Sequence, residues 1–395
     1  MSNNPVFHAT PVFPRGFHCA SRHVGLKAAA RDLTLFASDV DAAAAAVFTR
    51  NHFPGAPVVL GRETLKPGTG GTLRAIIANS KVSNVATGAT GINNARRMAA
   101  AAAREVGTVP KHILVSSTGV IGVPLPIEKI ELGVQGMMAE MQDSPMLGAE
   151  GIMTTDTHPK ALSTSLGSAT ITWVAKGSGM IEPNMATMLS YIFTDAALAP
   201  ATLDRLLRAA TRPSFNMLSV DSDTSTSDTC AILANGLAGP VDEAAFLELL
   251  TAGSTRMTEI LARDGEGAEH LLRVSVRNAL NEDEARKVAK SVVNSPLVKT
   301  MVHGADPNVG RLLMAVGKCF TCTIRPSTTD AWINGYQVVG AGERLPFEDA
   351  VVRETLSREV VDLEISLGVG TAGAVAFGCD LTHGYVDENA AYYSS

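Results

Sequence analysis

Charge is scarce in this sequence, and neither sign is gathered into a block. Charged residues make up 18 % of the 395, the formal net charge is −6, and no Lys/Arg cluster stands out. Without a basic stripe there is no electrostatic footprint for nucleic acid or an anionic membrane, so neither is expected as a partner. Long apolar runs are missing too. The alanines Ala99–Ala103 are broken by charge well short of the ~20 residues a membrane span needs. The opening MSNNPVFHATPVFPRGF has no basic stretch followed by an apolar one, so no secretory signal is expected. Cysteine is limited to Cys19, Cys230, Cys319, Cys322 and Cys379. An odd, scattered set in a long chain predicts reduced thiols and a cytoplasmic location. Cys319-Phe-Thr-Cys322 has the C-x-x-C spacing of metal and redox sites, but no second pair lies nearby and no His follows at finger spacing. It is expected to be two buried small side chains in a strand. The histidines, His158 and His303 among them, are scattered without ligand spacing. No metal ligand and no cofactor is expected.

What is present is apolar and rich in glycine: 46 % hydrophobic residues and 35 glycines. The length leaves room for two or three domains with a sizeable core. Runs that are β-branched or apolar and bounded by Gly, Pro or Asn predict strands over Leu33–Ser38, Val58–Leu60, Leu73–Asn79, His112–Ser117, Ala169–Ala175, Met188–Thr194, Leu363–Val369 and Gly373–Cys379. Helices are predicted over Ile92–Val106, Pro200–Thr211, Val241–Arg263, Asp283–Asn294 and Glu348–Glu354. The elements alternate without a strict βαβ rhythm. That predicts a mixed α/β layered sandwich rather than one doubly wound sheet. A smaller structural domain is expected over about 297–395, where long helices are fewer.

The segment Lys176-Gly-Ser-Gly-Met-Ile-Glu-Pro-Asn-Met-Ala-Thr187-Met-Leu-Ser carries the chemistry. Gly177 and Gly179 permit unusual backbone angles. Pro183 fixes one dihedral beside Glu182. Thr187 then opens an apolar run, Met188–Phe193. A hydroxyl between a constrained loop and a buried strand is well placed to attack its own preceding carbonyl, and the small Ala186 leaves that carbonyl accessible. On these residues alone, a glycine turn leading into a strand is the plainer alternative.

The same segment resembles the signature of the ornithine acetyltransferase (bifunctional glutamate N-acetyltransferase) family. Further stretches match in family order: Ser116-Ser-Thr-Gly-Val-Ile-Gly122, Ile152-Met-Thr-Thr-Asp-Thr-His-Pro-Lys160, Val220–Asp228, Arg263-Asp-Gly-Glu-Gly267, Asn294–Thr300, Gly304-Ala-Asp-Pro-Asn308 with Gly310-Arg311, and Gly378-Cys-Asp-Leu-Thr382. Together they run from Gly16 to Ser395. The resemblance implies an N-terminal-nucleophile-like fold and self-cleavage between Ala186 and Thr187, giving an alpha fragment 1–186 and a beta fragment 187–395. It also implies assembly as a heterotetramer of two copies of each.

The freed α-amine of Thr187, with an ordinary pKa of about 7.7–8.0, then serves as base for its own hydroxyl. The resemblance assigns Thr118 and Gly119 to the oxyanion hole. It places Thr154, Lys176, Thr187, Glu266, Asn389 and Ser394 around the amino-acid substrate. The implied cycle is ping-pong. N-acetylornithine acylates Thr187, ornithine leaves, and glutamate accepts the acetyl group. Glu266 also reads as part of a polar turn, Lys176 as a surface lysine, and Asp306 and Asn308 as an Asx-type turn. An N-terminal-nucleophile amidase or aminopeptidase is the alternative activity.

The chain departs from the family pattern in three places. Lys81-Val-Ser-Asn84 stands where Gly-Asn-Ala-Asn is usual, Val309 stands where Trp is usual, and the end reads Tyr392-Tyr-Ser-Ser395. The first two suggest a different amino-acid donor or acceptor, as in a specialised-metabolite pathway.

Overall fold

The computed structural model describes residues 5–182 and 188–390. Two compact units partition the chain. The first comprises Met1–Gly177, Pro183–Asn216 and Thr224–Met257; the second comprises Ser178–Glu182, Met217–Asp223 and Thr258–Ser395. The second unit thus takes in Thr258–Pro296 besides the region from Leu297 onward, because strand 271–279 pairs with strands 360–366 and 372–379.

In chain order the strands are β1 (Phe17–Arg22), β2 (Leu33–Phe48), β3 (Gly71–Asn79), β4 (Ile113–Ser117), β5 (Lys160–Leu166), β6 (Ala169–Lys176), β7 (Leu189–Ala197) and β8 (Leu218–Ser219). They continue with β9 (Thr229–Pro240), β10 (Leu271–Ala279), β11 (Asp330–Ile333), β12 (Tyr336–Gly340), β13 (Glu343–Arg344), β14 (Val360–Ser366) and β15 (Ala372–Cys379). The first unit's sheet runs β4-β3-β2-β9-β7-β6-β5, with β1 also paired to β2. The second unit's sheet runs β13-β12-β11-β14-β10-β15-β8. Parallel pairs such as β3·β4 and β10·β14 sit among antiparallel ones, so both sheets are mixed. Among the described residues no helix is long and apolar enough to cross a membrane.

β2 reaches ten residues beyond the predicted Ser38, through Ala42–Ala46. Alanine favours helix, yet this run is strand, paired with β3 and β9. Tertiary pairing overrides the local preference. Helix Pro200–Thr211 packs on β2 and buries Leu203, Leu206, Leu207 and Ala210. Its bounds match those predicted from the proline start. Helix Gly88–Val106 ends at Gly107, whose φ of 75° gives the left-handed cap that glycine favours.

Two local expectations are corrected. Val58–Leu60 is helical, within Ala56–Thr64. Pro57 occupies the first turn, where its fixed φ and missing N–H suit a helix, and three apolar residues were too few to tell strand from helix. Cys319 and Cys322 are half-buried and lie in a turn after helix Gly310–Gly317, not in a strand.

Trp173 on β6 is fully buried and donates its indole N–H to Ser254 Oγ at 3.2 Å. The indole fits because residue 253, immediately before Ser254, is glycine; a Cβ there would lie 2.3 Å from the ring. Gly253→Ala should therefore destabilise the protein by about 1–3 kcal/mol through overpacking. Gly317→Ala, where a Cβ meets nothing within 4 Å, should be neutral or stabilising by up to ~1 kcal/mol. Thermal denaturation of both variants checks the contrast.

Candidate active site

β3 and β4 are parallel and end together, with Asn79 opposite Ser117. Their two following loops therefore leave the sheet side by side. Asn79 is fully buried and ties them. Its carbonyl accepts the Thr118 N–H at 3.0 Å, its Oδ1 accepts the Ser117 hydroxyl at 2.6 Å, and its Nδ2 donates to Val82 O at 2.9 Å. This uses up the Thr118 backbone donor. The Thr118 hydroxyl and the Gly119 N–H have no hydrogen-bond partner among the described residues. These two sequence-predicted residues thus present the donors that an oxyanion hole needs. Gly119 has φ +124°, and a Cβ on it would lie 2.2 Å from the Lys81 carbonyl carbon. Only glycine allows this approach.

Lys81, Asn84 and Ala86 in the neighbouring loop all have positive φ. Such conformations in non-glycine residues cluster at functional sites. Asn84, the one family-like residue of that stretch, is fully buried and donates to Gly91 O at 3.0 Å, fixing the start of helix Gly88–Val106. Its survival has a structural cause. The departure at Lys81 lies directly against Gly119. The other departure, Val309, is buried just ahead of helix Gly310–Gly317.

The first unit also brings Thr154 and Lys176 together: Lys176 Nζ donates to Thr154 Oγ1 at 3.1 Å. Lys176 is buried, not a surface lysine. Between them sits Asp156, which the sequence reading did not single out. Its Oδ1 accepts from Lys160 Nζ at 2.6 Å and from the Gly177 N–H at 2.7 Å; its Oδ2 accepts the Thr154 N–H at 2.9 Å. The Asp156 and Lys160 side chains are wholly inaccessible. Burial alone would push the Asp156 carboxyl up. The Lys160 and Lys176 ammoniums, with hydrogen bonds from Lys160 and the Thr154 N–H, outweigh it and hold the carboxyl below its ordinary range. Lys27 joins this group by donating to Met153 O at 2.7 Å, and burial lowers its pKa.

In the second unit, Glu266 and Asn389 meet: Asn389 Nδ2 donates to Glu266 Oε2 at 2.7 Å. Glu266 is buried and its N–H bonds Ser178 O at 3.0 Å. A Cβ on Gly179 would fall 2.1 Å from Glu266 Oε2, so the backbone at Gly179 lies against this carboxylate. Asp221 grips the same segment, accepting the Met180 and Ile181 N–H groups at 2.6 and 2.8 Å. Burial raises the Asp221 carboxyl despite these bonds. Glu182 is held by Asn294 Nδ2 at 2.5 Å, the Ser219 hydroxyl at 3.1 Å and Lys290 Nζ at 3.4 Å. Burial draws Lys290 down to about 8 against the pull of Glu182. The chain is therefore pinned up to the residue before Pro183. It is pinned again at Met188, whose carbonyl accepts the Thr229 N–H at 3.0 Å.

Thr187, Ala186 and Ser394 lie outside the described residues. Sequence reasoning missed Asp156, Asp221 and Lys27. The first two sit inside motifs that were recognised, Ile152–Lys160 and Val220–Asp228, and an acid amid Ser and Thr was the available signal.

The sequence profile of the ArgJ family matches residues 18–394. The chain is 43 % identical over 388 residues to the arginine biosynthesis bifunctional protein ArgJ 2 of Nostoc sp., covering 96 % of this chain and 97 % of that protein. It is 42 % identical over 393 residues to the glutamate N-acetyltransferase Oat2 of Streptomyces clavuligerus, covering 97 % and 99 %. The crystal structure of the arginine biosynthesis bifunctional protein ArgJ of Bacillus halodurans superimposes with a TM-score of 0.50 at 36 % identity, covering 51 % of this chain and 98 % of that one.

Asp156→Asn should destabilise the protein by about 3–5 kcal/mol, because it strands the buried Lys160 ammonium without its carboxylate. A carboxyl whose folded pKa is depressed stabilises fully above its unfolded value of 3.8 and loses that contribution as pH falls through the lower folded value. The gap in melting temperature between wild type and variant should hence be widest near neutrality and close in acid. Melting curves over a pH series check it.

Proposed function

The chain belongs to the ArgJ family, and from that premise we propose that it cuts itself between Ala186 and Thr187 and then moves the acetyl group of N-acetylornithine to glutamate. The freed Thr187 hydroxyl attacks the acetyl carbonyl while its own α-amine takes the proton. The tetrahedral oxyanion is met by the Thr118 hydroxyl and the Gly119 N–H. That pair of donors, unengaged among the described residues and set in the loop that follows β4 beside the end of β3, in a chain of this family, is the observation that carries the reading. Ornithine leaves, and glutamate takes the acetyl group from Thr187. Lys176 with Thr154 suits an α-carboxylate; Glu266 with Asn389 suits an amine. A water-poor site favours transfer to the amine over hydrolysis. The fragments are proposed to form an N-terminal-nucleophile-like heterotetramer in the cytoplasm.

Two further observations support the cut. The Bacillus halodurans chain aligns over nearly its whole length yet spans about half of this one, as a product of internal cleavage would. In addition, the order β2-β9-β7-β6 places two strands from beyond the cut between two from before it. The fragments should therefore stay together.

A second reading, a different amino-acid donor or acceptor, is favoured by Lys81. This residue departs from the family pattern, and its carbonyl carbon would lie 2.2 Å from a Cβ on Gly119. Under that reading an acceptor panel would show glutamate surpassed by another amino acid.

On a denaturing gel the wild type should run as two bands, whereas Thr187→Ala should stay one band near 41.3 kDa and show no acetyl transfer. A variant that still splits or still transfers would refute the assignment of Thr187. With N-acetylornithine, the wild type should need glutamate for turnover; free acetate formed at the same rate without glutamate would make it a hydrolase. Thr118→Ala should slow both cleavage and transfer by roughly 10²–10³-fold, the usual cost of one oxyanion donor, with an unchanged melting temperature.

A further inference from the structure

Away from the proposed chemistry, the second unit gathers Glu269, His303 and Asp380, whose ligand-type atoms all lie within 4.8 Å of one another. They come from three elements. Glu269 ends the loop ahead of β10, Asp380 follows β15, and His303 closes helix Pro296–His303. β10 and β15 are antiparallel neighbours with Leu271 opposite Cys379, so Glu269 and Asp380 emerge at the same end of the sheet. The helix is fixed over that end by the buried Lys299, whose ammonium donates to the Cys379 carbonyl. His303 is four residues further on, one turn along the same helix face, which brings its ring to Asp380.

Asp380 is rigidly presented. Its side chain is inaccessible. Oδ1 accepts the Glu269 and His270 N–H groups at 2.9 and 3.1 Å, and Oδ2 lies 2.9 Å from His270 Nδ1. Carboxylates that ligate a metal are themselves held by hydrogen bonds from outer groups, as His270 and the two N–H groups hold Asp380. His303 Nδ1, by contrast, is a buried atom with no hydrogen-bond partner. It sits 3.4 Å from Glu269 Oε2 and 3.6 Å from Asp380 Oδ2. Both distances exceed the 2.7–3.2 Å of an N–H···O hydrogen bond. They match instead the spacing of two ligand atoms on a tetrahedral ion: bond lengths of about 2.0–2.2 Å put the vertices roughly 3.3–3.6 Å apart.

We propose that Glu269, His303 and Asp380 form a site for a divalent transition ion of the zinc type, with water completing the shell on the exposed Glu269 side. One nitrogen and two carboxylate oxygens suit such an ion better than magnesium, which keeps its own water and rarely takes imidazole. The ion would clamp the sheet end to the helix and stiffen the loop 265–270. That loop is already tied to the chain after β15 by Thr382 Oγ1 donating to Gly267 O at 2.7 Å, and it carries Glu266. The site therefore acts on stability and on the placement of Glu266, with no part in the acyl-transfer step.

The test is calorimetric titration of ZnCl₂ into tag-free, EDTA-stripped, full-length protein, with thermal denaturation alongside. One zinc per chain should bind and raise the melting temperature, and magnesium at equal concentration should do neither. His303→Ala and Glu269→Gln alter accessible residues and leave the Asp380 cradle intact; each should weaken zinc binding at least tenfold. Zinc uptake that persists in both variants but vanishes in Cys319→Ser would place the ion at the half-buried cysteine pair and overturn the proposal. So would the absence of zinc binding in a wild type that melts cooperatively.

Discussion

The buried carboxylate of Asp156 is the interaction on which the pairing of Thr154 with Lys176 in the first unit depends. Its three short contacts reach three stretches of chain: the loop with Thr154, Lys160 at the start of β5, and Gly177 just after β6. A carboxylate removed from water is costly unless both oxygens are engaged and a counter-charge is near. Both conditions hold, and the depressed pKa reflects them. The same group lends Lys176 a compensating charge, so a lysine can stand buried with its head on Thr154. Remove that charge and the buried cation would have to find water or another partner. In the proposed reaction Asp156 would act through Lys176 and Thr154, with no contact of its own with substrate.

Glycine does the complementary work, bringing backbone where side chains would block it. Gly119 passes against the Lys81 carbonyl at a φ few other residues tolerate. Gly179 lies on the Glu266 carboxylate. In each case the absent Cβ creates the approach, and a neighbouring carboxylate or carbonyl fixes its direction. Asp221 and the partners of Glu182 hold the chain just upstream of the proposed cut. Self-cleavage needs a near-attack geometry, and anchoring the flanking chain limits the freedom that such a geometry must overcome.

Much of this was legible in the sequence where local rules suffice. The proline start predicted helix Pro200–Thr211 at its observed bounds, and β-branched runs predicted β3, β4 and β6. Val58–Leu60 failed because three apolar residues fit either period and Pro57 settled the matter. The run Ala42–Ala46 failed in the other direction, since sheet pairing overrode alanine's preference. Thr118, Gly119, Thr154, Lys176, Glu266 and Asn389 came from resemblance; Thr154 meets Lys176 and Glu266 meets Asn389, each pair within one unit. Asp156 and Asp221 were invisible as single letters, because their meaning is burial. The grouping of Glu269, His303 and Asp380 was invisible for another reason. Metal-ligand spacing can be read only when ligands are local, and these three meet through the β10·β15 register and a helix placed over it.

The sheet order of the first unit bears on the proposed cut at Ala186–Thr187, because it decides whether the two fragments would stay together. β6 ends before the cut and β7 begins after it, yet the two are hydrogen-bonded neighbours over six residue pairs. On the far side of β7 lies β9, also from beyond the cut, and β9 in turn pairs with β2 from before it. The later fragment would thus be inserted as a two-stranded wedge with an earlier-fragment strand on each flank. Separation would open two strand edges at once and strip helix Pro200–Thr211 from β2, exposing backbone groups and buried leucines together. Losing one peptide bond removes no hydrogen bond from either ladder. A cut at the proposed bond would therefore leave intact the sheet on both sides of it.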